Sequence, residues 1–127
     1  MRTDFCPCQS GRRYEDCCGP LLAGRREADT AEELMRSRYT AFARGDREYL
    51  FRTWDPVTRP TSVEIDPLMA WRRLQVLECI DGEAGDSEGR VRFAAHFRRD
   101  GERGTLAEFS SFRRLRGRWV YVDGVRG

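Results

Sequence analysis

Four of the chain's five cysteines fall within CPCQSGRRYEDCC, residues 6 to 18. A cluster so dense suggests one of three chemistries: disulfide bridging, thiol redox exchange or metal coordination. Redox exchange favours Cys-x-x-Cys in a βαβ setting, and neither the spacing nor the setting occurs here. The spacing is Cys6-x-Cys8, eight residues, then Cys17-Cys18. Four thiolates close a tetrahedral shell around zinc at bond lengths of about 2.3 Å. Ser10-Gly11 supplies a turn that doubles the chain back, Pro7 fixes its own φ, and Gly19-Pro20 signals a break after the second pair. Four thiolates on one dication leave a local negative charge, which Arg12 and Arg13 between the pairs can offset. One structural zinc ion held by Cys6, Cys8, Cys17 and Cys18 is therefore expected. Cys79 sits in an apolar, strand-like run and is expected to be a small buried hydrophobe rather than a fifth ligand.

Other residues able to do chemistry are scattered. His96 is the only histidine. A catalytic reading makes His96 or Asp123 a general base with Glu108 orienting it. Alternation opposes this for His96: Arg92 and Arg98 share its parity, whereas Val91, Phe93, Ala95 and Phe97 take the other face. His96 is thus expected on the outer face of a sheet. A candidate pocket remains, composed of Arg38, Tyr39, Trp71, Glu108, Ser110, Tyr121 and Asp123. Within it, Glu108 and Arg38 are either part of a site or a buried pair joining helix to sheet. The aromatic set, Trp54 and Trp119 included, serves equally as core.

These residues need elements to position them. Thr30 with Glu33 forms a capping box, and apolar positions at helical spacing continue from Ala31 to Arg44, where Gly45 ends the run. Asp46 caps a second short helix that ends before Pro56. Residues 21–29 read as a linker or frayed turn. Asp66-Pro67 repeats a helix-start signal, predicting a third short helix with Trp71 near its end. Period-two alternation then predicts strands over 74–80, 90–99, 105–115 and 118–123, with turns at 83–88, Asp100-Gly101 and Arg116-Gly117. Helices followed by an antiparallel meander mean an α+β fold. A strongly curved sheet wrapped around the helices encloses a cavity.

Size and composition set bounds. A chain of 127 residues, 39% hydrophobic, suffices for one core. No apolar run approaches a membrane span. The opening residues lack the apolar core of a secretory leader, so a cytoplasmic location with reduced thiols is expected. All 23 basic residues are Arg, which removes Lys as a nucleophile, and the net charge is only +2. That near-balance argues against a dedicated nucleic-acid binder. RRLRGR, residues 113–118, is the one concentrated basic stretch, and it reads better as a charged hairpin than as a phosphate contact.

Two resemblances bear on function. CPCQSGRRYEDCCGP resembles a SEC-C motif, the zinc-binding element named for the C-terminus of SecA. Its pattern of Cys-x-Cys, Ser-Gly turn, aromatic and Cys-Cys maps onto Cys6, Cys8, Ser10-Gly11, Tyr14, Cys17 and Cys18. Gln9 departs from it, standing where the family usually has Gly. Beyond the motif, LMRSRYTAFARGDREYLFRTWDP, LAEFSSF and RWVYVDG resemble the YchJ-type bacterial family, whose body is similar to the cone of nuclear transport factor two. The resemblance implies two units, a SEC-C-like motif at 1–22 and a cone-shaped domain at 30–127. It also implies protein contact through the zinc motif, as SecA's element binds an export chaperone and ribosomes. A small-molecule binder or enzyme using the cone pocket is the alternative, and nucleic-acid or ribosome contact through Arg12, Arg13 and RRLRGR a weaker one.

Overall fold

A computed structural model describes residues 5–127; the first four residues of the expected zinc motif lie outside the described residues. The fold is α+β. Helices α1 (Cys18–Leu22), α2 (Ala31–Arg44) and α3 (Arg47–Arg52) precede strands β1 (Met69–Asp81), β2 (Glu88–Arg99), β3 (Glu102–Leu115) and β4 (Arg118–Arg126). The strands form one antiparallel sheet in the order β1-β2-β3-β4.

Local chemistry sets the helix ends. Thr30 Oγ1 accepts from Glu33 N, while the Glu33 carboxylate reaches back to Asp29 N. One orphan donor of α2 and the amide just before its cap are thereby satisfied. Gly45 ends α2 in the left-handed region at φ 77°. Asp46 then accepts from Tyr49 N and starts α3. Residues 53–55 run on beside β4, where Asp55 N donates to Tyr121 O and Tyr121 N to Thr53 O, both at 2.8 Å. Part of the sheet edge is covered in this way.

Three expectations need correction. The stretch after Asp66 is a turn, not a helix: Asp66 Oδ1 accepts from Leu68 N, and Trp71 lies in β1 opposite Phe97. Bulges in β1 between Trp71 and Arg73 and between Val76 and Glu78 disturb its alternation, so the strand's full length escapes a period-two reading. Residues 21 and 22 are not linker but the end of α1, and Leu21 is buried. Gly19-Pro20 falls inside the first turn of that helix, where a missing N–H costs nothing. The break expected there is absent.

The sheet packs one face against α2. Val91, Phe93 and Ala95 of β2 and Ser110 and Phe112 of β3 are buried on that face together with Leu34, Met35 and Tyr39 of the helix. The bulges, including one between Ser111 and Phe112, add twist and curl the sheet around α2. The cysteine cluster joins the same core. No helix among the described residues is long and apolar enough to cross a membrane.

Candidate metal centre and interior pocket

Cys6, Cys8, Cys17 and Cys18 lie with their Sγ atoms within 4.8 Å of one another, and all four are buried. Cys8 and Cys17 are 3.6 Å apart. Ligands about 2.3 Å from a central ion at tetrahedral angles are separated by about 3.8 Å, so the cluster is compatible with a bound metal ion. Thiol chemistry agrees. Hydrogen bonds from Cys18 and Cys8 hold the Cys6 thiol far below its usual range. Cys18 is pushed up because it donates to Cys6 and Cys8 and is buried. Cys8 gains from Cys18, but Cys6 and burial outweigh that and raise it to about 11. One thiol is thus favoured as the thiolate over its neighbours, and a bound cation would favour loss of the remaining protons.

Surrounding groups fix the cluster. Ser10 Oγ lies 3.2 Å from Cys17 Sγ and Thr40 Oγ1 donates to Cys18 Sγ at 3.3 Å. Arg36 Nη1 donates to Cys8 O at 2.8 Å, and Arg44 stacks on Tyr14 at 3.9 Å. Three of these four groups belong to α2, and sequence reading missed them because they lie 18 or more residues from the thiols. Arg12 and Arg13, expected beside the sulfurs, are exposed. Gln9 adopts φ 68°, keeping the left-handed turn that its side chain disfavours. Cys79 is exposed, contrary to expectation; its Sγ donates to Glu32 Oε1 and burial raises it to about 11.

Between α2 and the sheet lies a cavity of about 260 Å³. Of the seven predicted pocket residues, Arg38, Tyr39, Trp71, Glu108, Ser110 and Tyr121 line it. Asp123 does not: it is exposed and pairs with Ser111. An extra residue in β4, Val122, reverses the strand's alternation there, turning Asp123 outward and bringing Arg126 to the cavity instead. His96 lies on the outer face, its Nδ1 3.0 Å from Thr105 Oγ1 and its Nε2 2.7 Å from Gln75 Oε1.

Glu108 and Arg38 both reach the cavity without pairing directly. Glu108 Oε1 accepts from Ser110 Oγ at 2.6 Å and from Tyr121 Oη at 3.2 Å. Burial and the adjoining Glu108 carboxylate push the Tyr121 hydroxyl upward, so it stays a donor. Gly124 underlies the Glu108 carboxyl so closely that a Cβ would overlap it. Arg38 Nη1 donates to Leu50 O at 2.9 Å and to Thr53 Oγ1 at 2.7 Å. Burial pulls its guanidinium down to about 10, still charged at neutral pH.

The basic hairpin is engaged internally. Arg113 forms a two-pronged pair with Asp55. Arg114 donates to Asp86 O, Ala84 O and Asp29 O and stacks on Trp119.

Comparison with known proteins gives two family matches. The model described as "YchJ, middle NTF2-like domain" matches residues 30–124, and the SEC-C motif model matches residues 2–20. The chain belongs to the YchJ-like family. Among YchJ-like relatives, a UPF0225 protein of Streptomyces coelicolor is 48% identical over 124 residues, covering 98% of this chain and 97% of that protein. The solution structure of a SEC-C motif containing protein from Rhodopseudomonas palustris superposes with a TM-score of 0.84 at 41% identity, over 94% of this chain and 96% of that one. The crystal structure of a SEC-C motif containing protein from Psychrobacter arcticus gives 0.79 at 27% identity, over 97% and 84%.

Proposed function

We propose that this YchJ-like chain is a small-molecule-binding module whose site is the interior pocket, with a structural zinc ion at the four cysteines. The observation that carries the reading is the buried guanidinium of Arg38 lining an otherwise mostly apolar cavity. Pockets of this make-up, apolar walls with a few placed polar groups, are the usual form of ligand sites. Zinc is the ion that four buried thiolates favour, and a closed thiolate shell leaves no position for a reacting water. The ion is therefore a staple, not a catalyst. The test is NMR titration with phenylacetamide and phenylacetate, two probes of matched shape. Shifts centred on Phe93, Leu106 and Tyr121, abolished by the cavity-filling Ala95→Phe, are expected. Failure of both probes to perturb those residues would remove the pocket from consideration.

A second reading rests on a different observation. Phe5 is 53% exposed, and Arg12 and Arg13 lie exposed nearby in the cysteine loop. An exposed aromatic beside basic residues suits contact with an acidic segment of a protein partner. Loss of a captured partner on Phe5→Ser, with metal content unchanged, is the expected result; capture that persists in Phe5→Ser, or that nuclease treatment abolishes, argues against it.

A further inference from the structure

The pocket's polar end has a geometry that selects one ligand chemistry. The Arg38 guanidinium lies over the rings of Trp54 and Tyr121, 5.0 and 4.6 Å from their centroids, and those two rings pack edge to face on each other at 5.2 Å. Its Nη1 is held by Leu50 O and Thr53 Oγ1, whereas Nε and Nη2 have no hydrogen-bond partner among the described residues. No sealed side-chain polar atom there lacks a partner, so the Nε–Nη2 edge opens onto the cavity that Arg38 lines. A support of two mutually packed rings and an anchored Nη1 hold the group in place. What remains is a preset two-pronged donor, the shape that receives both oxygens of a carboxylate.

Glu108 does not satisfy that donor. Its Oε1 is engaged by Ser110 and Tyr121, and no ion pair joins it to Arg38. Arg126, exposed at the rim, adds a second positive charge to that of Arg38 against the single carboxylate of Glu108; Arg38 is the buried one of the two, and a buried cation without a direct ion pair is costly. A monoanion balances it, whereas a dianion or a cation does not. Met35, Phe42, Trp71 and Leu106 form the remaining wall, suited to a flat or branched hydrocarbon body. A cavity of about 260 Å³ limits that body to roughly one ring.

Resting on the pocket reading above, we infer that the ligand is a compact hydrophobic monocarboxylate. Its carboxylate sits on the Nε–Nη2 edge of Arg38 and its hydrocarbon body faces Trp71.

The experiment compares three probes on the intact, metal-loaded protein: phenylacetate, phenylacetamide and phenethylamine. Phenylacetate is expected to bind about tenfold more tightly than the amide, because charge-assisted hydrogen bonds are the stronger kind. The amine is expected not to bind. On the unmodified protein, the Arg38 Nε–Hε resonance should move with phenylacetate and stay in place with the amide. Arg38→Lys keeps the charge and removes the fork, so it should erase the preference; where that variant fails to fold, the wild-type resonance decides alone. Equal affinity of acid and amide at the same residues would overturn the carboxylate inference and leave the pocket reading standing. Acid binding without movement of the Arg38 resonance would overturn it too. No binding of any probe would overturn both.

Discussion

Thr40, in the third turn of α2, donates its hydroxyl to Cys18 Sγ at 3.3 Å and lies 3.8 Å from Cys6 Sγ. The candidate metal centre is thus built from a local cysteine loop and a helix some twenty residues further along the chain. The two are one packed unit, and this determines how each should respond to change.

Thr40→Val keeps the shape and deletes the hydrogen bond. Loss of an outer hydrogen bond to a ligand typically weakens metal binding by about 10-fold or more. Competition against a chromophoric chelator should show such a loss, with urea midpoints reporting destabilisation of about 1–2 kcal/mol. Unchanged zinc affinity would mean that Thr40 only fills space.

Metal removal should not unfold the sheet. Leu74, Val91, Phe93, Ala95 and Phe112 share the core with the thiols but sit on strands held by their own antiparallel ladders. Hydrogen exchange after chelation should show lost protection over residues 5–22 and on the α2 segment around Arg36 and Thr40, with β2 and β3 still protected. Collapse of β2 and β3 protection at ambient temperature would contradict this.

Gln9 sits in the left-handed region at φ 68°. A non-glycine residue there costs about 1–2 kcal/mol, partly recovered because glycine is more flexible when unfolded. Gln9→Gly should therefore raise the thermal midpoint of the metal-loaded protein, by up to about 1 kcal/mol of stability. A lowered midpoint would show that the Gln9 amide, which donates to Pro7 O, outweighs the strain.

Asp55 is 2% exposed and bound on both oxygens by Arg113. The Arg113 hydrogen bonds hold its carboxyl below the usual range. A depressed folded value means that the stabilisation is present above the unfolded value, about 3.9, and disappears as pH falls through the folded one. Asp55→Asn should cost about 1–2 kcal/mol at pH 7, allowing for the half-exposed Arg113. The gap from wild type should close below about pH 4. A gap that stays constant across that range would remove the ion pair as its cause.

The sequence by itself determined what depends on near neighbours. The thiol cluster lies within thirteen residues, so spacing alone announces a metal loop. Caps at Thr30, Gly45 and Asp46 are decided within a turn of chain, and the alternation of β2 and β3 assigned His96 to the outer face and Glu108 to the inner one. Tertiary structure decided what single inserted residues and distant partners control. The bulge at Val122 exchanged Asp123 for Arg126 at the cavity, since one extra residue inverts every side chain beyond it. Bulges in β1 hid a strand where a capping signal suggested a helix. Neither the rings that support Arg38 nor the hydroxyl that reaches Cys18 has a signal in local sequence, because each arises only when α2 docks on the curled sheet and the cysteine loop.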